Sequence, residues 1–418
     1  MRPVMMPFMH RREFLAGWLA ASCSPAFAAL GPAVRGPGGL LKFAESASPL
    51  VDFARFVDRP VTVASAEILV VDGKHQFVRV TSREGDEGVV KANSRMEEVA
   101  SLFHQIAVPA FMGKDARNLE LLIAAVYRAQ YKFAGLAMWT AIGHLELAIW
   151  DMLGKAAKRR CVDFMGPVRR EAVPIYVSSL DRKSSGTAEA DAVEAAAAAT
   201  GAKGCKIKVG GRMSRNVDAY PGRSEEVVRA VRKRMGDGFT IYADANGSYD
   251  APAAIELCRM LEDHGVALLE EPCPFEEVEM TRQVVERVKI PIAGGEQDGS
   301  MARWRWYLEN RALDVLQPDF MYNGGMLRTL LVQRMAAAAG VGIAPHYPRN
   351  GSETVELLHF AAQASNLHGL QEYRMRPRVL DFAHAPTIAP KDGMLALPPG
   401  PGFGITHDPG LWANAVRL

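Results

Sequence analysis

The chain has 418 residues, 49% hydrophobic and 23% charged, with a formal net charge of +2. That composition excludes a disordered chain, and the near-neutral balance without a long basic run excludes a nucleic-acid footprint. The length suits one large domain plus a smaller one, and no stretch past the leader reaches about 18 uninterrupted apolar residues, so no membrane span is expected.

The first residues read as a targeting segment. Arg11-Arg12-Glu13-Phe14-Leu15 is a twin-arginine pattern, Leu15 to Ala21 is apolar, and Ala26-Phe27-Ala28 offers a cleavage site before Ala29. Residues 1–28 are therefore expected to be a twin-arginine signal peptide and the protein periplasmic, with a mitochondrial-type leader or a plain helix as the alternative. Cys23 follows Ala20-Ala21-Ser22, where a lipoprotein box wants a larger aliphatic residue, so lipid anchoring is not expected. The twin-arginine route carries folded proteins. A chain folded in a reducing cytosol keeps Cys161, Cys205, Cys258 and Cys273, which contain no CxxC pair, as buried thiols.

Residues 29–60 are rich in Gly, Pro and Ala and read as a loose leader or linker. Residues 61–170 read as an α+β capping domain. Val61 to Val71 and Gln76 to Thr81 alternate as strands around an Asp72-Gly73 turn, and helical periodicity follows, clearest from Ala141 to Asp151. From 171 to 385, apolar runs at 173–178, 203–209, 239–244, 267–270, 290–294, 313–316, 341–345 and 368–371 alternate with helix-length stretches. Eight strands and seven helices make an α/β fold, a modified (β/α)7β TIM-type barrel. Residues 386–418, again rich in Gly and Pro, are expected to pack back on the cap.

Chemistry in such barrels gathers at the C-terminal strand ends. Strand two ends in Lys206-Ile207-Lys208, and strands three to five end in Asp244 (with Asn246), Glu270 and Glu296. Strands six, seven and eight end in Gln317-Pro318-Asp319, Pro345-His346 and Gln371-Glu372. Glu270 follows Asp244 by 26 residues and Glu296 follows Glu270 by 26, about one strand–loop–helix unit. Three acids converging in a partly dry site repel one another unless a cation joins them. An all-oxygen set suits Mg²⁺ first and Mn²⁺ second; zinc would favour nitrogen or sulfur ligands.

Alternation puts Lys206 and Lys208 on one face of their strand, with Cys205, Ile207 and Val209 on the other; the apolar face suits the helix layer, so both lysines point inward. His346 stands at the strand end next to Asp319, whose carboxylate can accept the ring Nδ1–H and raise the basicity of Nε2. Lys208 on one side and His346 on the other are two bases across one metal-bound carboxylate substrate, placed to take its α-proton. Lys206 would steady the developing enediolate, and Glu372, if kept protonated by its acidic surroundings, would share a proton with it. Asn246, Arg212 and Arg223 are candidate substrate contacts, the two arginines toward a distal hydroxyl or second carboxylate; solvated loop arginines are the alternative reading.

These residues resemble the enolase superfamily and, within it, the mandelate racemase-like group. The matching motifs are K-x-K at Lys206 and Lys208, D-x-N at Asp244 and Asn246, E-E-P at Glu270 to Pro272, G-E at Gly295-Glu296, Q-P-D at Gln317 to Asp319, P-H at Pro345-His346 and the late Glu372. Leu147 to Asp151, with Gly154-Lys155, looks like the end of that family's cap. The resemblance implies a cap over a (β/α)7β barrel, Mg²⁺ on Asp244, Glu270 and Glu296, and bases Lys208 and His346 with Asp319 behind the histidine. It implies a small-molecule carboxylate substrate, often a sugar acid, and allows a homo-oligomer. Two departures stand out: the leader, and Glu146 where relatives commonly place Asp.

The expected activity is Mg²⁺-dependent dehydration of a sugar acid to a 2-keto acid. The alternative is a racemase or epimerase of a 2-hydroxy acid; a cycloisomerase is third, because those relatives usually place Lys late in the barrel. The rival from another class is a non-catalytic periplasmic acid-binding protein, motivated by the leader.

Overall fold

The computed structural model describes residues 49–375 and 383–418. The expected signal peptide, Cys23 and residues 29–48 of the expected linker lie outside the described residues. The remainder of that linker, residues 49–60, is packed rather than loose. Val51, Phe53 and Val57 are buried, and the Phe53 ring meets Trp150 edge-on at 4.9 Å and Phe164 at 5.4 Å. Three apolar side chains around a single helical turn carry no periodicity that composition could reveal.

The cap opens with strands β1 (Val63–Val71), β2 (His75–Ser82) and β3 (Glu87–Lys91), paired antiparallel in sequence order. The three-residue loop between β1 and β2, Asp72 to Lys74, turns on Asp72 and Gly73, both left-handed at φ 51 and 66. The inner face of the sheet lies on a long helix, α1 (Leu136–Ala157), so closely that a Cβ on Gly88 would collide with the Ala148 carbonyl. Every residue of α1 from Met138 to Gly154 is buried. A helix buried along this whole length is covered on every side, and the far side of α1 rests on the barrel. There a Cβ on Gly143 would meet the Met321 carbonyl at 2.5 Å.

The barrel strands are β4 (Ala172–Ser178), β5 (Gly204–Lys208), β6 (Thr240–Asp244), β7 (Leu268–Glu270), β8 (Ile292–Gly294), β9 (Val315–Leu316), β10 (Gly342–Ile343) and β11 (Gln371–Arg374). They pair in parallel in the order β10-β9-β8-β7-β6-β5-β4-β11. A parallel bridge from Ile343 to Leu367 brings the two ends together. Strand β11 begins where the expected run of 368–371 ends, because Gly369 at φ 51 breaks that run. Seven helices separate the strands, from α2 (Gly186–Thr200) and α3 (Arg223–Met235) to the last, Val355–Gln363. Tyr176, Tyr242, Leu268, Ala293 and Val315 form an apolar layer inside the barrel, the floor on which the site stands.

The C-terminal stretch bridges both domains. Met394–Ala396 pairs antiparallel with β4, and Val416–Arg417 pairs antiparallel with β1, extending the cap sheet. Among the described residues no helix is long and apolar enough to cross a membrane.

Candidate active site

Strand register explains how residues far apart in sequence converge. In the parallel ladder Lys208 stands opposite Asp244, and Asp244 opposite Glu270. Side chains in register on parallel neighbours share a face, so all three project into the barrel mouth. Glu296 follows β8 through Gly295, which sits at φ 106 beneath the Trp304 ring, where a Cβ would clash. Asp244, Glu270 and Glu296 each offer one oxygen within 4.8 Å of the others.

The two lysines reach this trio from the same face of β5. Lys206 Nζ donates to Glu270 Oε1 at 3.0 Å and Oε2 at 2.9 Å, and pairs with Glu372 Oε1 at 3.1 Å. Lys208 Nζ is ion-paired with Asp244 and also reaches Asn246 Oδ1 at 3.3 Å. Across the mouth, Asp319 and His346 form a parallel bridge between strand ends. His346 Nδ1 lies 2.9 Å from Asp319 Oδ2, leaving Nε2 to face Glu296 Oε2 at 3.3 Å. Asp319 is itself fixed by the backbone N–H groups of Met321 and Tyr322, at 2.8 and 2.9 Å.

The electrostatics are those of a site short of positive charge. Burial, reinforced by Asp244, Glu296 and Glu372 and opposed by Lys206, pushes the Glu270 carboxyl up to about 7. Burial, reinforced by Glu296, Asp244 and Glu270, holds the Glu271 carboxyl well above the usual range. Burial opposes charge on Lys206, yet Glu270 and Glu372 hold its ammonium well above its ordinary value. Burial likewise opposes charge on His346, but Glu296 and the Asp319 hydrogen bond raise it to about 10. A hard divalent cation bonded to the three carboxylate oxygens would relieve this crowding, and the donor set fits Mg²⁺.

Two expectations change. Glu372 is not held protonated: although burial favours the neutral form, Lys206 and His346 hold its carboxyl down at about 2. Its oxygens accept from Ser178 Oγ at 2.7 Å and Tyr347 N at 3.2 Å, and donors of that kind stabilise the ion. It is the counter-ion of Lys206. Arg223 is no substrate contact. It is fully buried at the start of α3 and donates to the carbonyls of Asp181, Ser184 and Lys208 and to Ser184 Oγ. Arg212 is exposed in the loop after β5.

Two residues that sequence reasoning passes over also line the site. Glu271 ought to point outward by alternation, but at φ 45 its backbone is left-handed and its side chain returns to the mouth, where Oε2 accepts from Asn246 and Gln297 at 3.2 Å each. Arg182, in the loop after β4, donates to Asn246 Oδ1 and to the Val209 carbonyl at 3.1 Å. The only hint of it in the sequence is its position shortly after the first strand end.

A barrel whose mouth holds an acidic trio flanked by a lysine pair and a His–Asp dyad defines a class of proton-abstracting enzymes, and the comparisons name it. Residues 188–411 match the family described as Enolase C-terminal domain-like, and residues 53–166 match the Mandelate racemase / muconate lactonizing enzyme N-terminal domain. The chain belongs to this mandelate racemase-like branch of the enolase superfamily. It is 26% identical to arabinonate dehydratase of Saccharolobus solfataricus over 360 residues, covering 85% of this chain and 91% of that one. It is 27% identical to D-galactonate dehydratase of Ralstonia nicotianae over 359 residues, covering 82% and 91%. Among solved structures, a mandelate racemase/muconate lactonizing protein from Paracoccus denitrificans complexed with magnesium superposes with a TM-score of 0.78 at 25% identity, covering 86% of this chain and 99% of that one.

Proposed function

We propose that the protein is a Mg²⁺-dependent dehydratase that converts a sugar acid to a 2-keto acid. The observation that carries this reading is the acidic trio, its oxygens within 4.8 Å of one another, with Lys208 on one side and His346 on the other. Support comes from relatives named for the dehydration of arabinonate and galactonate, and from the magnesium in the Paracoccus structure.

Asp244, Glu270 and Glu296 would hold the ion, which supplies Lewis-acid stabilisation of charge developing on a substrate carboxylate. Lys206, fixed between Glu270 and Glu372, adds a second positive charge beside that carboxylate. Lys208 takes the proton from the α-carbon. His346, aimed by Asp319, delivers a proton from Nε2 to the departing β-hydroxyl, which leaves as water. The enol that remains tautomerises to the 2-keto acid, so proton and oxygen balance.

A sugar-acid library incubated with Mg²⁺ and scored for 2-keto product tests the reading. Product that disappears with EDTA, and in Lys208→Ala and His346→Asn, is the expected result. An acid recovered inverted at the α-carbon would make the protein a racemase, and binding with no solvent deuterium at that carbon would make it a non-catalytic binder.

We also infer export by the twin-arginine route, supported by Arg11-Arg12 and the Ala26-Phe27-Ala28 site. Periplasmic fractionation of the full chain, lost in the Arg11→Lys/Arg12→Lys double variant, is the expected outcome; cytoplasmic retention of the wild type would end the inference.

A further inference from the structure

Two arginines at the edge of the mouth are left over from this chemistry, and they differ from the one beside them. Arg223 spends its donors on four oxygens and is fully buried, as a structural arginine should be. Arg182 is half-buried and reaches only neutral partners: Asn246 Oδ1 and the carbonyls of Val209 and Gly210. A guanidinium carries five N–H donors, so part of the Arg182 fork is uncommitted. Among the described residues, neither Arg182 nor Arg212 forms an ion pair.

Arg182 borders the reacting groups directly, because the Asn246 oxygen it holds also accepts from Lys208 Nζ at 3.3 Å. Burial lowers the proton affinity of Arg182, Asp244 opposes that effect, and Arg212 and Arg223 add to it, so Arg212 stands close enough to repel it. The backbone holds Arg212 there at a cost. Arg212, Met213, Arg215 and Asn216 are all left-handed, at φ 63, 49, 53 and 70. The strained turn is tied to the loop after β6, with Arg212 N on Ser248 Oγ at 2.9 Å, Met213 N on the Asn246 carbonyl at 3.0 Å and Asn216 N on the Ser248 carbonyl at 2.7 Å. Backbone strain of this kind persists where the surrounding structure enforces it, commonly at functional sites.

We propose that Arg182 and Arg212 form the subsite for a second anionic group at the far end of the substrate, a carboxylate or a phosphate ester. The preferred sugar acid is then a dianion, not a simple aldonate. This rests on the dehydratase reading, and it gives the two guanidiniums the counter-ion they lack, in the bidentate geometry that arginine offers to either anion.

The test compares three acids of one chain length and configuration: the aldonate, its aldarate and its 6-phosphate. With Mg²⁺, the wild type is expected to favour one dianion over the aldonate in kcat/KM by roughly 100-fold, as sites built to bond a charged group do. Whichever dianion wins identifies the anion. Arg182→Met and Arg212→Ala should each cut that preference ratio by about tenfold or more, mainly through KM. Arg212→Ala is the cleaner variant, since Arg182→Met also frees Asn246. A wild type that prefers the aldonate, or variants that lower all three acids equally, would overturn the subsite. If none of the acids is dehydrated, the dehydratase reading fails instead. Calorimetry with the same acids then decides the subsite: tighter dianion binding lost in Arg212→Ala supports it, and equal binding of all three refutes it.

Discussion

The barrel mouth and the seam between cap helix and barrel both bury charged and polar side chains, but they treat them in opposite ways. At the seam, Glu146 of α1 accepts hydrogen bonds from Met326 N at 2.7 Å, Leu327 N at 2.8 Å and Trp150 Nε1 at 2.8 Å. It thereby caps the barrel helix Met326–Ala338, whose own N-cap, Gly325, has no side chain to do so. His144, two residues earlier on the same helix, uses both ring nitrogens, with Nδ1 on the Thr140 carbonyl at 2.7 Å and Nε2 accepting from Asn93 N at 3.1 Å. At the mouth, by contrast, carboxylates face carboxylates, and Glu271 Oε1 and Gln317 Oε1 are buried without a partner. Glu146 and Glu270 are both pushed up to about 7, the first by burial against three donors, the second by burial among three acids. Buried polarity that is satisfied holds a fold together. Buried polarity left in conflict is waiting for a ligand.

The contrast can be broken most severely at the mouth. Glu296→Gln should lower turnover by roughly 1,000-fold or more, because a ligand of the charge-stabilising ion is lost, while the melting temperature of the metal-free protein holds or rises as repulsion is relieved. A lower melting temperature would show that Glu296 is structural. At the seam, Glu146→Ala should destabilise by about 3–5 kcal/mol by stranding three buried donors, measurable in urea; a loss under 1 kcal/mol would remove the distinction between the two regions.

Acid should attack the seam through His144. Burial lowers this imidazole to about 4, against an ordinary 6.5, so it is neutral in the fold and the unfolded chain binds more protons between those values. Its contribution is complete above pH 6.5 and is lost as the pH falls toward 4, on the order of 3 kcal/mol. His144→Gln should flatten that part of the stability–pH curve, and an unchanged slope would contradict the assignment. The smallest effect is thermodynamic linkage at the mouth. Mg²⁺ at a hundredfold excess over its Kd should stabilise the protein by about 2.7 kcal/mol, and Glu296→Gln should abolish most of that shift. Equal shifts in both proteins would place the ion elsewhere.

Much of the mouth is legible in the residues because it obeys two simple periods. A strand of period two puts Lys206 and Lys208 on one face, and a 26-residue unit puts Asp244, Glu270 and Glu296 at successive strand ends. His346 and Asp319 follow from the same bookkeeping of strand ends. Arg182 and Glu271 escape it because each depends on irregular backbone, a loop after β4 in one case and a left-handed residue in the other. Arg223 misleads for the converse reason: its sequence position suggests a loop, and only packing shows it sealed beneath the loops it ties together.

Local pattern alone therefore determines the alternation of strands and helices, the inward face of each strand and the types of side chain delivered to the barrel mouth, since these follow from backbone geometry that each short segment carries within itself. Tertiary structure decides which charges meet. Glu372 is ionised because Lys206, Ser178 and Tyr347 surround it, and Glu146 is a helix cap because a second domain lies against it. Proton affinity and hydrogen-bond satisfaction depend on neighbours in space, and no stretch of sequence contains its own neighbours.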